Sequence, residues 1–221
     1  MRLVLLHSPL VGPATWASLA PVLRAHGHAV AVPDLTPILR GDGPYYDALA
    51  TAAAAAVGED SILVVHSGAG ALVPSVALRV PLRAAIFVDA LLPHPAESWF
   101  AGVPEQLAGR LRATAKDGRL PPWHAWWPKG AMEALLPDRA LGAAFIAEQG
   151  DVPLDYLDAV APAIPLSTPS AYLQLSSAYR EDADVAEGWG WPVARLDLHH
   201  LAVLTHAQMV AAQIETLAAA V

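Results

Sequence analysis

Four short apolar runs punctuate the first half of the chain: Leu3–Leu6, Val30–Val32, Ile62–Val65 and Ala84–Val88. Each is three to five residues long and too short for a buried helix. Continuous apolar runs of this length predict strands buried on both faces. Helical periods separate them. Trp16, Leu19, Val22 and Leu23 form one apolar face after Pro13, a residue suited to a helix start, and Gly27 suits the C-terminal cap. Tyr45 to Val57 is alanine-rich and stopped by Gly58, and Ala69 to Leu78 runs on until a break near Pro81. Strands alternating with helices predict βαβ units, a parallel sheet and right-handed crossovers.

That rhythm fails between Leu92 and about Ser170, where strand signal is sparse and Pro is frequent. Four of the seven tryptophans lie here, Trp99, Trp123, Trp126 and Trp127. Short helices are expected around Glu105–Thr114, Ala131–Leu136 and Ala140–Gln149. The α/β pattern then resumes. Tyr172–Leu175 and the Trp191–Leu196 stretch each predict a strand, and Asp182–Glu187 predicts at most a short helix. Val210, Ile214, Leu217 and Val221, spaced four, three and four apart, mark a closing amphipathic helix. The expected class is therefore α/β, a mostly parallel doubly wound sheet with a helical, Trp-rich insertion. The core occupies residues 1–91 and 171–221, and the insertion 92–170.

Composition narrows the function classes. The chain has 221 residues, 55% hydrophobic and 15% charged, enough for one well-packed domain. Its net charge is −8 and its 13 basic residues are scattered singly, which argues against nucleic acid as a partner. Cysteine is absent, so there is neither a disulfide framework nor a thiolate metal site. The first apolar run is too short for a signal peptide and no stretch is long enough to span a membrane, so the expectation is a cytoplasmic protein without a membrane partner. No glycine pattern for a dinucleotide or a phosphate loop occurs, and no cofactor is expected.

The chemistry-bearing stretch is Val65-His66-Ser67-Gly68-Ala69-Gly70, where a strand meets a helix through small residues. A hydroxyl at such a turn stands above the sheet edge near backbone N–H groups that favour developing negative charge. A serine here can equally be a helix cap. Asp89 ends the next strand, and His199-His200 follow the last one. Since the C-terminal ends of parallel strands share one edge, Ser67, a carboxylate and an imidazole can converge there.

These residues carry a resemblance to the α/β-hydrolase superfamily over nearly the whole chain, closest to small esterases and plant hydroxynitrile lyases. The matching segments are Leu5-Leu6-His7-Ser8, Trp16 with Leu23, Gly27 to Asp34, the elbow at Ser67, and His200-Leu201-Ala202-Val203-Leu204-Thr205-His206. The Trp-rich insertion stands where the superfamily carries its cap. The resemblance implies Ser67 as nucleophile and His200 as general base. Three departures accompany it. Val65 and Ala69 replace the outer glycines of G-x-S-x-G, although Gly70 follows at once. Pro9, with no N–H, occupies the position that usually gives an oxyanion donor, leaving Gly68 N–H with the Leu10 N–H or the Ser8 hydroxyl. Arg180 stands where the acid is usual, so the acid is expected one strand earlier, at Asp89, with Asp182 as the alternative; an aspartate at this strand end can also merely brace loop N–H groups.

His199 is expected in the loop or pocket. A zinc site is disfavoured because the His pair lacks a third ligand at helical spacing, and no metal is expected. His7 and His66 read as hydrogen-bonded or pocket residues, with His66 able to touch substrate. Trp123, Trp126 and Trp127 form either the insertion's own core or an apolar ligand pocket. The expected function is a serine hydrolase acting on a small ester, lactone or thioester with an apolar or aromatic body. The alternative is a non-hydrolytic lyase, cyclase or decarboxylase using Ser and His for proton transfer. A binding protein that has lost catalysis is a third reading. The expected partner is a small-molecule substrate, and the expected state a monomer or homodimer.

Overall fold

A computed structural model describes all of residues 1–221. The chain opens with β1 (Arg2–Leu6), a 3-10 turn over Pro13–Trp16, α1 (Leu19–Ala25), β2 (Ala29–Ala31) and α2 (Tyr45–Ala54). β3 (Ser61–Ser67) leads into a 3-10 turn over Gly68–Leu72 and then α3 (Val73–Ala77), followed by β4 (Ala84–Ala90). The helix expected over 69–78 is thus split. Pro74 sits at the start of α3 and has no N–H to continue an α ladder from the preceding turn.

Between β4 and the next core strand lie α4 (Glu105–Thr114), β5 (Arg119–Leu120), α5 (Ala131–Leu135), α6 (Arg139–Ala147), β6 (Val152–Pro153) and α7 (Leu154–Asp158). β5 and β6 pair antiparallel; this two-residue ladder is too short to leave a periodic signal in the sequence. The core resumes with β7 (Ser170–Gln174), α8 (Arg180–Gly188), β8 (Val193–Arg195), α9 (Ala202–Thr205) and α10 (Ala207–Ala218).

The six core strands form one sheet in the order β2-β1-β3-β4-β7-β8, with every neighbouring pair parallel. Its two faces separate by the two-residue period of a strand. Val4, Leu6, Leu63, Val65, Phe87 and Tyr172 pack toward α2, α3 and α8. Leu3, Leu5, Ile62, Val64, Ile86 and Leu173 pack toward α1 and α10. Residues 92–170 build no third core. Phe100, Leu111, Leu120 and Tyr156 join the first cluster, whereas Met132, Leu136 and Phe145 join the second. The segment therefore straddles the sheet's edge.

Chain order reverses between β1 and β3, which are adjacent although β2 lies on the far side of β1. In a doubly wound sheet, ligands bind outside the strand ends at such a switch point. The loops leaving β1 and β3 carry Ser8 and Ser67. No helix is long and apolar enough to cross a membrane.

Candidate active site

Ser67 ends β3 with φ +57° and ψ −131°, a conformation L residues rarely adopt. Such strain persists only where the surroundings enforce it. Here Gly70 lets the turn pass against the next loop, because a Cβ on it would fall on the Leu91 carbonyl oxygen. Gly68 is similarly close to the β1 loop: a Cβ there would lie 3.1 Å from Ser8 Oγ. Gly68 is the first residue of the helical turn, so the turn itself does not use its N–H.

The sheet register shifts beside the serine. His66 pairs with Val88 but Ser67 with Ala90, so Asp89 is the extra residue of a bulge, with φ +44°. Tyr172 holds this bulge closed. Its hydroxyl donates to the Ala90 carbonyl (2.6 Å) and accepts from the Ala90 N–H (3.2 Å). The bulge aims the wholly buried Asp89 carboxylate across the end of β7. Oδ1 accepts the N–H groups of Leu175 (2.8 Å) and Ser176 (2.9 Å). Oδ2 accepts the Ser176 hydroxyl (2.7 Å) and Nδ1–H of His200 (2.8 Å). Burial by itself would raise the Asp89 pKa. The His200 and Ser176 hydrogen bonds and the imidazole's charge outweigh it, and the pKa falls below the ordinary carboxylate value.

With Nδ1–H given to Asp89, His200 presents Nε2 as its basic nitrogen. The ring is held on both sides: His66 stacks on it at 4.4 Å and 28°, and Tyr179 at 5.0 Å and 9°. His66 also donates from Nε2 to the His200 carbonyl (2.9 Å). Buried among apolar groups and beside a second imidazole, His66 has its pKa pulled down to about 3 and is neutral. Its Nδ1 has no partner, and neither has the indole N–H of Trp16, whose ring meets His66 edge-on at 5.9 Å.

The β1 loop is set by His7, whose Nδ1–H donates to Ser8 O (2.8 Å) while Nε2 accepts the Leu35 N–H (3.0 Å). Ser8 Oγ accepts the Leu10 N–H (3.3 Å), so that N–H is engaged and the serine's own proton is free. Ser8, Leu10, Val11, His66, Ser67, Trp123, Phe145, His200 and Leu201 line one cleft. The volume in it open to the centre of a water molecule is about 10 Å³. That is about the room of one water.

The residues singled out in the sequence divide accordingly. Ser8, Leu10, His66, Ser67, Gly68, Asp89, Trp123 and His200 gather around the cleft. Trp126 and Trp127 do not line it: Trp126 donates its indole N–H to Pro121 O (2.7 Å) and meets Trp99 edge-on, and Trp127 is exposed. Asp182 accepts the Leu92 N–H (3.1 Å) and faces a different, open groove of about 410 Å³ with Trp99 and Trp189. Burial raises its pKa. His199 bonds Thr205 Oγ1 (3.0 Å) and does not line the cleft. Phe145 and Tyr179 were not legible as site residues. Tyr179 brings its hydroxyl to 3.3 Å from Ser67 Oγ, the one hydrogen bond that oxygen makes. Its only sequence signal is its place next to Arg180, in the loop after β7. No three His, Asp or Glu side chains converge to hold a metal ion.

The arrangement is a hydroxyl on a strained turn, a basic imidazole nitrogen in the same cleft, and a buried carboxylate orienting that imidazole. Such a set of groups can activate a hydroxyl as a nucleophile where the imidazole nitrogen reaches it; in the resting cleft Ser67 Oγ bonds the Tyr179 hydroxyl. Solved structures share the whole architecture. An extracellular α/β-hydrolase from a Paenibacillus species is 19% identical, with 98% of each chain covered and a TM-score of 0.78. A pyrethroid hydrolase from Sphingobium faniae is 20% identical over 100% of this chain and 98% of its own, with a TM-score of 0.71. Tomato methylketone synthase I, complexed with 2-tridecanone, is 17% identical over 98% of this chain and 97% of its own, with a TM-score of 0.70. No protein-family model and no curated protein matches the sequence. The chain has the α/β-hydrolase fold.

Proposed function

We propose that this protein is a serine hydrolase for a small ester, lactone or thioester with an apolar or aromatic body. The observation that carries the reading is the 2.8 Å bond from His200 to the bulged Asp89, beside a serine held at positive φ. His200 Nε2 takes the Ser67 proton as Oγ attacks the carbonyl carbon. The carbonyl oxygen, now an oxyanion, faces the Gly68 N–H and the Ser8 hydroxyl. His200 then returns the proton to the leaving group, and water hydrolyses the acyl-serine by the same steps. Asp89 stays ionised and holds the Nδ1–H tautomer. Segment 92–170 acts as the cap, with Trp123 and Phe145 supplying the apolar wall for the substrate body. Two of the structurally similar proteins bear the name hydrolase, which supports the class of reaction.

Hydrolysis of p-nitrophenyl acetate and butyrate tests the reading. Activity is expected in the native chain and is expected to collapse in both Ser67→Ala and His200→Ala. A fluorophosphonate that fails to label Ser67 while labelling a control esterase would refute it. One observation favours a second, non-hydrolytic reading, in which Ser67 and His200 only move protons: Pro9 removes a backbone donor from the oxyanion loop. An acyl adduct on Ser67, seen by mass spectrometry, would eliminate that alternative.

A further inference from the structure

We infer that Tyr179 is a further catalytic residue, whose hydroxyl assists the departure of Ser67 Oγ when the acyl-enzyme is hydrolysed. The inference rests on the hydrolase reading above. Tyr179 lies in the 3-10 turn after β7, and two separate contacts tie it to the reacting groups. Its hydroxyl is 3.3 Å from Ser67 Oγ, and its ring lies flat on His200, 5.0 Å away and within 9° of parallel. The stack fixes the ring, and the ring fixes the hydroxyl. Burial pushes the phenol pKa up from its ordinary value. Either oxygen can donate in the resting pair, but in the acyl-enzyme Oγ carries no proton and the Tyr179 O–H is the donor.

This hydrogen bond acts unequally on the two halves of the reaction. In acylation, Oγ is the nucleophile, and its bond to Tyr179 is already made in the free enzyme, so attack gains little from it. In deacylation, Oγ is the leaving group. Water adds to the acyl carbon as His200 Nε2 accepts its proton. The C–Oγ bond then breaks, its electron pair returns to Oγ, and the proton on His200 passes to Oγ. Negative charge builds on Oγ while this bond breaks, and the Tyr179 O–H faces it. Tyr179 keeps its own proton throughout. A hydrogen bond that strengthens as charge develops accelerates only the step in which it does so.

The asymmetry gives the test, with Tyr179→Phe, which removes the hydroxyl and keeps the ring that stacks on His200. Rapid mixing with p-nitrophenyl butyrate is expected to show a burst of nitrophenolate followed by a steady state about tenfold slower than the native one, the size of one neutral hydrogen bond. kcat and KM should fall together, leaving kcat/KM within about twofold, and a quenched sample should carry one butyryl group on Ser67. The rate of fluorophosphonate labelling, which needs attack only, should be unchanged or faster. Equal falls in kcat and kcat/KM without an acyl adduct, or no change in either, would overturn the role of Tyr179 while leaving the hydrolase reading intact. A native chain that neither turns over the ester nor reacts with the fluorophosphonate would overturn both.

Discussion

Replacing Asp89 separates its two jobs, because its two oxygens serve different partners. Oδ1 accepts two backbone N–H groups, and Oδ2 accepts the Ser176 hydroxyl and His200. Asparagine keeps the Oδ1 acceptor, and it suits positive φ better than most residues, so the φ +44° bulge is tolerated. Its amide N–H₂, however, faces His200. To accept from it, Nδ1 must lose its proton to Nε2, which then can no longer take the Ser67 proton. The tautomer error of this kind costs ~10⁴ in rate, or about 5 kcal/mol of transition-state stabilisation. Stability should change by only about 1 kcal/mol, since a buried charge disappears along with its partner bond. Alanine instead orphans the Leu175 and Ser176 N–H groups, at about 1–3 kcal/mol each, or about 2–6 kcal/mol together. The assay is kcat/KM for p-nitrophenyl butyrate alongside urea melts of the native chain, Asp89→Asn and Asp89→Ala. If Asp89→Asn keeps more than about a tenth of the native kcat/KM, Asp89 only braces the loop and the argument fails.

Other changes should be as selective. Ser8→Ala removes the hydroxyl that stands in for the donor missing at Pro9, and kcat/KM should fall ~10²-fold or more; a rate within twofold of native would show that Gly68 N–H suffices. Gly70→Ala drives a methyl into the Leu91 carbonyl, a backbone group that cannot swing aside. Destabilisation by about 1–3 kcal/mol is expected, lowering Tm by about 2–4 °C per kcal/mol, and an unchanged melting curve would contradict the close passage. His66 is neutral when folded, with a pKa of about 3 against 6.5 in its unperturbed state. Its stabilisation is therefore complete above pH 6.5 and is lost as pH falls toward 3, by up to about 1.4 kcal/mol per pH unit, because only the unfolded chain takes up the proton. His66→Gln, which retains a donor for the His200 carbonyl, should flatten that acid limb in melts between pH 4 and 7; an equal slope would refute the assignment.

The core strands were legible because they are buried on both faces. Leu3–Leu6, Ile62–Val65 and Ala84–Val88 have no solvent side and so no polar alternation to confuse the reading. Helices α4, α5 and α6 also lie where the sequence places them, to within two residues at each end. The sheet order was not legible, since adjacency of β1 and β3 is a long-range pairing with no local signature. Asp89, at a strand end, is the acid the sequence favours, with Asp182 as the alternative. A one-residue bulge, invisible in the sequence, turns Asp89 toward His200, whereas Asp182 falls in the first turn of α8 and meets Leu92. The tryptophans fared similarly: their crowding was plain, but side-chain direction decides that Trp123 faces His200 while Trp126 faces Trp99. Tyr179 carries no such signal, because the chemistry expected of the loop after β7 is a carboxylate.

The tightness of the Ser67 cleft bears on selectivity. Trp123 and Phe145 meet edge-on at 6.3 Å and leave room beside the serine for one water. On the proposed function, an ester with an aryl or long alkyl body would reach Oγ only in the fraction of molecules whose rings swing aside. Its apparent dissociation constant is the intrinsic one divided by that fraction, so a population closed 99 to 1 weakens binding ~100-fold, about 2.7 kcal/mol. Each buried methylene offsets about 0.8 kcal/mol of that opening. Acyl chains three or four carbons longer thus recover what an acetyl group cannot. Preference for longer acyl groups would then come from the breathing of two rings, with no pocket cut to the substrate's shape.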